Sequence, residues 1–177
     1  DPEKNKTLDF NWHDLSLIKF TGSIPDGYKP AQILSNVSPI QVGATVTMVG
    51  YGVSVVTTKK INPNTYPDLD KALDDGTVVC DDAKKNCAKV NMSGDGVLRQ
   101  TQTTISQLQD TEFMLDEAHG HGTCEGDSGG PVYLTINGQN YLIGLTSRGT
   151  LLCNYDGVYT NVVDYQDWIA KTSATLQ

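Results

Sequence analysis

The residues best suited to chemistry lie in one stretch, Cys124-Glu-Gly-Asp-Ser-Gly-Gly-Pro131. A serine among glycines suits a nucleophile, because the missing β-carbons let a carbonyl group approach and leave backbone N–H groups free to point at it. Ser128 is the candidate nucleophile, and the chemistry is acyl transfer: hydroxyl attack on a carbonyl, a base to take the proton, and N–H donors to hold the oxyanion. The spacing Gly126-x-Ser128-x-Gly130 also fits a nucleophile elbow at a strand-to-helix turn, but that arrangement needs an acid and then a histidine after the serine. No histidine follows Ser128; the three in the chain are His13, His119 and His121. That arrangement is excluded.

The elements that must carry Ser128 read as strands. Segments 15–20 (LSLIKF), 44–58, 97–105, 131–136, 141–147 and 157–163 are short, β-branched or alternating, and bounded by Gly, Pro, Asn or Asp. Asn137-Gly138 reads as a hairpin turn. The pattern predicts an all-β fold. Only the C-terminal stretch VVDYQDWIAKTSATLQ has helical spacing, with Val163, Tyr165, Trp168 and Ile169 on one face and Asp164 as a cap, which predicts a helix over about residues 163–172. Residues 59–96 are polar and turn-rich and read as a long solvated insertion between two strands. A calcium site from Asp74, Asp75, Asp81 and Asp82 departs from EF-hand spacing, and no metal or cofactor is expected.

The chain of 177 residues allows one ordinary domain or two small ones. Its 13 basic and 21 acidic residues leave a net charge of −8, which disfavours nucleic acid and anionic lipid as partners. No run approaches the ~18 apolar residues of a membrane-spanning helix, and DPEKNKTLDF is too polar for the core of a signal peptide, so any targeting segment is expected upstream. Cys80, Cys87, Cys124 and Cys153 lack zinc-site spacing, leaving free thiols or two bridges in one of three connectivities. Cys80 and Cys87 bracket a charged loop that reads as a closed hairpin, and bridges imply an oxidising compartment: secretion, extracellular or periplasmic. Sequons for N-glycosylation stand at Asn5, Asn36 and Asn91.

The hexapeptide Gly126-Asp-Ser-Gly-Gly-Pro131 resembles the nucleophile motif of trypsin-like serine proteases, the chymotrypsin family. Four further segments are similar in the family's order: His13-Asp-Leu-Ser-Leu-Ile-Lys19, Val49-Gly-Tyr-Gly52, Thr146-Ser-Arg-Gly149, and Gly157-Val-Tyr-Thr160 followed by Tyr165-Gln-Asp-Trp-Ile169. The resemblance implies a double β-barrel, of which this chain holds the end of the first barrel and the inter-barrel crossing (1–35), then the whole second barrel (36–177) with the insertion at about 59–96 and the terminal helix. It implies a secreted serine endopeptidase with a Ser-His-Asp triad: Ser128 as nucleophile, Asp14 orienting the base, and the N–H groups of Gly126 and Ser128 as the oxyanion hole. Asp127 takes the place of the buried carboxylate that pairs with the ammonium released on activation.

The resemblance also implies a specificity pocket with Gly122 at its floor, Gly149 and Gly157 at its walls, and Thr123 and Ser147 as polar lining. With no acid at Gly122, the expectation is an uncharged pocket preferring large apolar or aromatic side chains before the scissile bond. Asp156 and Glu125 are near enough to draw a basic side chain if the loop alignment slips by one. The implied bridge across the pocket is Cys124–Cys153, which pairs Cys80 with Cys87. Residues 106–112 are too few for the family's intermediate helix, and Arg148 stands where an aromatic residue is frequent.

The family's order is His, Asp, Ser, yet only thirteen residues precede Asp14. His13 adjoins Asp14, and neighbours along a strand face opposite ways, so it does not present its ring to both Asp14 and Ser128. His119 and His121 read as exposed loop residues. The catalytic histidine is therefore expected outside this chain, on a companion N-terminal fragment held noncovalently, since no cysteine precedes Cys80. The chain alone is expected to be inactive toward its protein or peptide substrate. The alternative is a non-catalytic protease homologue acting as a protein-binding module, and the presence of Gly126, Asp127, Ser128 and Asp14 together favours the enzyme.

Overall fold

The computed structural model describes residues 8–10 and 12–176. The described strands are β1 (Gln32–Ile33), β2 (Thr45–Gly50), β3 (Val55–Ile61), β4 (Val78–Cys80), β5 (Cys87–Ser93), β6 (Arg99–Leu108), β7 (Glu112–Asp116), β8 (Pro131–Ile136), β9 (Gln139–Gly149) and β10 (Asp156–Asn161). Helix α1 (Leu69–Asp74) is a short piece within the insertion, and α2 (Gln166–Thr175) ends the described chain.

Six strands close into a trypsin-like barrel in the order β9-β10-β7-β6-β2-β8, with β8 pairing back onto β9. Closure removes the free edges that an open sheet of this size leaves exposed. Alternation places Val46 and Met48 of β2 inward, opposite Leu134 and Val132 of β8. They join Ile105, Phe113, Leu115, Ile143 and Tyr159 in one buried cluster, where each large apolar side chain contributes roughly 1.5–3 kcal/mol. The β8–β9 hairpin turns on Asn137 and Gly138, both at positive φ (52° and 78°), the primed turn that their residue types favour. β1 adds to β9 in parallel.

Three expectations are corrected. LSLIKF forms no strand, and Ile18 and Phe20 are 82% and 70% exposed. A strand requires a ladder partner, and among the described residues no strand pairs with this segment. The single strand read over 44–58 is broken at Gly50-Tyr-Gly52, because the Asp127 side chain fills the space where β-carbons at Gly50 and Gly52 would stand. Asp164 does not cap the terminal helix: Asn161 caps the turn that leads into it, its Oδ1 accepting from Val163 N at 3.2 Å, while Asp164 accepts from Asn161 Nδ2, and Tyr165 at the start of α2 makes no side-chain cap bond. A 3-10 turn over Val162–Tyr165 precedes α2.

The segment read as a solvated loop has its own architecture. β3, β5 and β4 form an antiparallel sheet in that order, with Cys80 opposite Cys87. Ala72, Val78, Cys80 and Cys87 bury against Ile61, Tyr66, Leu69 and Leu73, and Val79 and Val90 pack with Leu152 beside Cys153. Asp75 and Asp81 hold turns: Asp75 accepts from Thr77, and Asp81 from Lys85 and Asn86. These bonds hold both carboxyls below the usual carboxylate range. The turn between β6 and β7 is tight, with Gln109 N bonded to Glu112 O at 2.9 Å and no helix between.

Candidate active site

Ser128 sits at the exposed tip of the loop entering β8. Asp127 N bonds to Cys124 O at 3.0 Å and Gly130 N to Asp127 O at 2.8 Å, a tight bend that Gly126 (φ 91°) and Gly129 (φ 74°) permit. The bend is fixed to β9 by Gly129 N on Thr146 O (2.8 Å) and Thr146 N on Gly130 O (2.9 Å). The N–H groups of Gly126 and Ser128 donate no hydrogen bond among the described residues. Beside Ser128 lies a cavity of about 310 Å³ with Gly126, Val49, Tyr51 and Leu98 in its wall.

The next residue of β9 holds the other sequence-expected group. Ser147 Oγ donates to Asp14 Oδ2 at 2.7 Å, and Thr160 Oγ1 donates to the Asp14 carbonyl at 2.8 Å. Asp14 and the Ser128 loop are thus fastened to adjacent residues, Ser147 and Thr146. Arg148 follows, and it turns inward. Its guanidinium makes a two-toothed pair with Glu112 (2.8 and 3.0 Å), donates to Ser147 Oγ (3.0 Å) and to the Asp9 carbonyl (3.1 Å from Nε), and lies 4.6 Å from the Trp12 ring centroid. Arg148 therefore clamps the 9–14 segment onto β9. Neither Glu112 nor this clamp was foreseen from sequence.

The histidines lie elsewhere. His13 Nδ1 bonds to Tyr165 OH at 2.6 Å, toward the terminal helix, and His121 Nδ1 is 3.4 Å from Thr101 Oγ1. The His119 side chain lies outside the described residues, as do Asp1, Pro2 and the sequon at Asn5. Asp127 is satisfied by backbone donors, Gly52 N at 2.8 Å and Cys124 N at 3.1 Å.

Gly122, Thr123, Gly149 and Gly157 converge, but on a carboxylate. Glu117, in the turn after β7, is 2% exposed. A β-carbon on Gly122 would stand 2.5 Å from the Glu117 Cβ, and one on Gly157 2.6 Å from its carboxyl carbon. Glu117 Oε1 accepts from Thr123 N (3.0 Å), Thr123 Oγ1 (3.1 Å) and Tyr159 OH. Burial pushes the Glu117 carboxyl above its ordinary range despite these donors, and Asp156 adds to the push. Burial and the Glu117 charge together drive the Tyr159 hydroxyl well above 10. The glycines make room for an acid contributed from outside the motif. The only signal in the sequence was the Asp116-Glu117 pair at the end of β7, indistinguishable from solvated charge.

Both pairings implied by the resemblance form. Cys124–Cys153 joins the Ser128 loop to the loop before β10 (Cα–Cα 5.3 Å), and Cys80–Cys87 closes the β4–β5 hairpin (Cα–Cα 4.1 Å).

A family model described as Trypsin matches residues 3–169. The chain belongs to the trypsin family of serine proteases. Snake venom serine protease 3 from Protobothrops jerdonii is 30% identical, aligned over 98% of this chain and 57% of its own length. The thrombin-like enzyme cerastocytin from Cerastes cerastes is 31% identical over 91% of the chain and 55% of its own length. CLIP domain-containing serine protease B4 from Anopheles gambiae reaches 45% over 65 residues, which is 35% of the chain and 18% of that protein. The chain spans rather more than half the length of the venom relatives. Its homologues are hydrolases of the serine protease class, consistent with the closed barrel and the two disulfides described above.

Proposed function

We propose that the protein carrying this chain is a serine endopeptidase that cleaves peptide bonds through an acyl-enzyme. Ser128 Oγ attacks the scissile carbonyl carbon as a histidine takes its proton. The C–N bond breaks when that proton passes to the leaving amine, and water then releases the acyl group by the same route. The N–H groups of Gly126 and Ser128 hold the oxyanion, a role in which losing one donor costs about 10²–10³ in turnover. Asp14 orients the histidine, and Asp127 serves as the activation-pair carboxylate. The observation that carries this reading is the attachment of Asp14 and the Ser128 loop to successive residues of β9. No cofactor enters these steps.

The histidine is assigned to the part of the whole protein outside this chain, since His13 and His121 are bonded elsewhere. That part, carrying the rest of a first barrel, is proposed to cover the exposed side chains of Ile18 and Phe20. This reading divides the chain into the end of the first barrel (1–35) and the second barrel (36–177). The two disulfides support an extracellular or periplasmic setting. A fluorophosphonate probe applied to the full-length protein after activation tests the proposal. Covalent labelling at Ser128, abolished by Ser128→Ala, is the expected result. Absence of label on correctly folded protein refutes it and leaves the protein-binding homologue. The 177-residue chain alone is expected not to hydrolyse peptides.

A further inference from the structure

We propose that Arg148 is a positioning residue for the acid of the proposed triad: acting through the Ser147 hydroxyl, it sets the direction of the hydrogen bond that holds the Asp14 carboxylate. The role rests on the endopeptidase reading above and adds a residue to its machinery. Its ground is the way the Asp14 segment is held. Among the described residues of 8–20 there is no strand, and the backbone bonding of that segment to other backbone is the local contact of Leu15 N with His13 O at 3.1 Å. Asp14 is therefore placed by side chains from the barrel. Thr160 Oγ1 donates to its carbonyl (2.8 Å) and Ser147 Oγ to its Oδ2 (2.7 Å).

The Ser147 hydroxyl has a single proton, and Arg148 decides where it goes. Arg148 Nη1 donates to Ser147 Oγ at 3.0 Å, and a guanidinium accepts nothing in return. The Ser147 proton is thus turned away from Arg148 and toward Asp14 Oδ2, where the bond to a carboxylate is charge-assisted. Glu112 of β7 grips the guanidinium at 2.8 and 3.0 Å and opposes its charge, so Arg148 works through directed N–H groups rather than as a free cation. The same side chain meets the segment twice more. Nε donates to the Asp9 carbonyl at 3.1 Å, and the guanidinium lies 4.6 Å from the centroid of the Trp12 ring. One buried ion pair therefore ties the wall of the barrel to the segment at Asp9, Trp12 and, through Ser147, Asp14.

The test uses the activated full-length protein and a fluorophosphonate probe, reading the limiting rate of labelling at Ser128 and the half-saturating probe concentration. Arg148→Met is expected to slow the limiting rate by about 10²-fold, the loss that follows from displacing a catalytic group by about 1 Å, with the half-saturating concentration unchanged. The double variant Glu112→Gln/Arg148→Met separates positioning from stability. Urea unfolding should show its stability returning toward wild type while labelling stays slow. Labelling that recovers together with stability overturns the proposal, and so does a change confined to the half-saturating concentration, which marks a contact with substrate. If Arg148→Met fails to fold, the double variant decides. In a Ser147→Ala background the double substitution should slow labelling little further, because the relay is already cut, and additive losses overturn the route through Ser147. A wild type that takes no label defeats the endopeptidase reading and this role with it, whereas a labelled wild type beside unslowed variants defeats the role alone.

Discussion

Removal of the Arg148 side chain is the perturbation whose size the structure best defines. The Glu112 carboxylate is wholly buried, and the Arg148 side chain is 14% exposed. Both guanidinium ends engage both carboxylate oxygens, at 2.8 and 3.0 Å. Arg148→Met keeps most of the aliphatic volume but removes the guanidinium that faces the Glu112 charge inside the barrel wall. Breaking a buried pair from one side costs about 3–5 kcal/mol, because the remaining charge stays desolvated after its counter-charge is removed. The stacking on Trp12 adds about 0.5–1 kcal/mol. Urea unfolding monitored by circular dichroism is expected to show a loss in that range. The tryptophan emission should shift as Trp12 leaves the guanidinium and the 9–14 segment loosens from β9. The double variant Glu112→Gln/Arg148→Met, which also removes the carboxylate charge, should recover at least half of the loss. A single-variant loss below about 1 kcal/mol, or a double variant no better than the single, refutes the view that this pair anchors the Asp14 segment.

Glu117 makes stability fall as pH rises. Its folded carboxyl titrates above the ordinary 4.5, so between those two values the native state binds more protons than the unfolded chain, and the unfolding free energy has a negative slope there. The Tm advantage of Glu117→Gln over wild type should therefore grow across that window and level off above it. A constant difference from pH 4 to pH 8 sinks this reasoning. Reduction of Cys80–Cys87, which closes an eight-residue loop with separation 7 in sequence, should cost about 2.5 kcal/mol, measured by unfolding of Cys80→Ser/Cys87→Ser. Because the bridge lies in the small core of Ala72 and Val78, the insertion's amides should lose hydrogen-exchange protection before those of the barrel, and uniform loss would contradict a separate core.

What could be read from the sequence depended on whether a residue's role was written in local pattern. β8 and β9 were legible because period-two alternation and an Asn-Gly turn specify a half-buried hairpin wherever it is placed. The Ser128 loop was legible because glycines crowd around one hydroxyl. LSLIKF carries the same alternation, yet forms no strand, because a ladder needs a neighbour and the pattern does not say whether one is there. The insertion was misread for the opposite reason. Its core is assembled from residues such as Ile61, Ala72, Val78 and Cys87, spaced without a period and outnumbered by surface charge.

The buried acids show the deepest limit. Glu112 and Glu117 look in sequence like solvated residues at a strand end, and nothing local distinguishes them from Glu125, which is exposed. Each is buried because of distant groups: Arg148 for Glu112, Thr123 and Tyr159 for Glu117. Gly122 and Gly157 illustrate the consequence. A glycine in a pocket position says only that space has been left, and the natural inference is space for a substrate. Here a side chain from another loop, that of Glu117, already occupies it. A pocket's chemistry is therefore fixed by which side chain enters the vacated volume, a tertiary fact that the residue type at the floor leaves open.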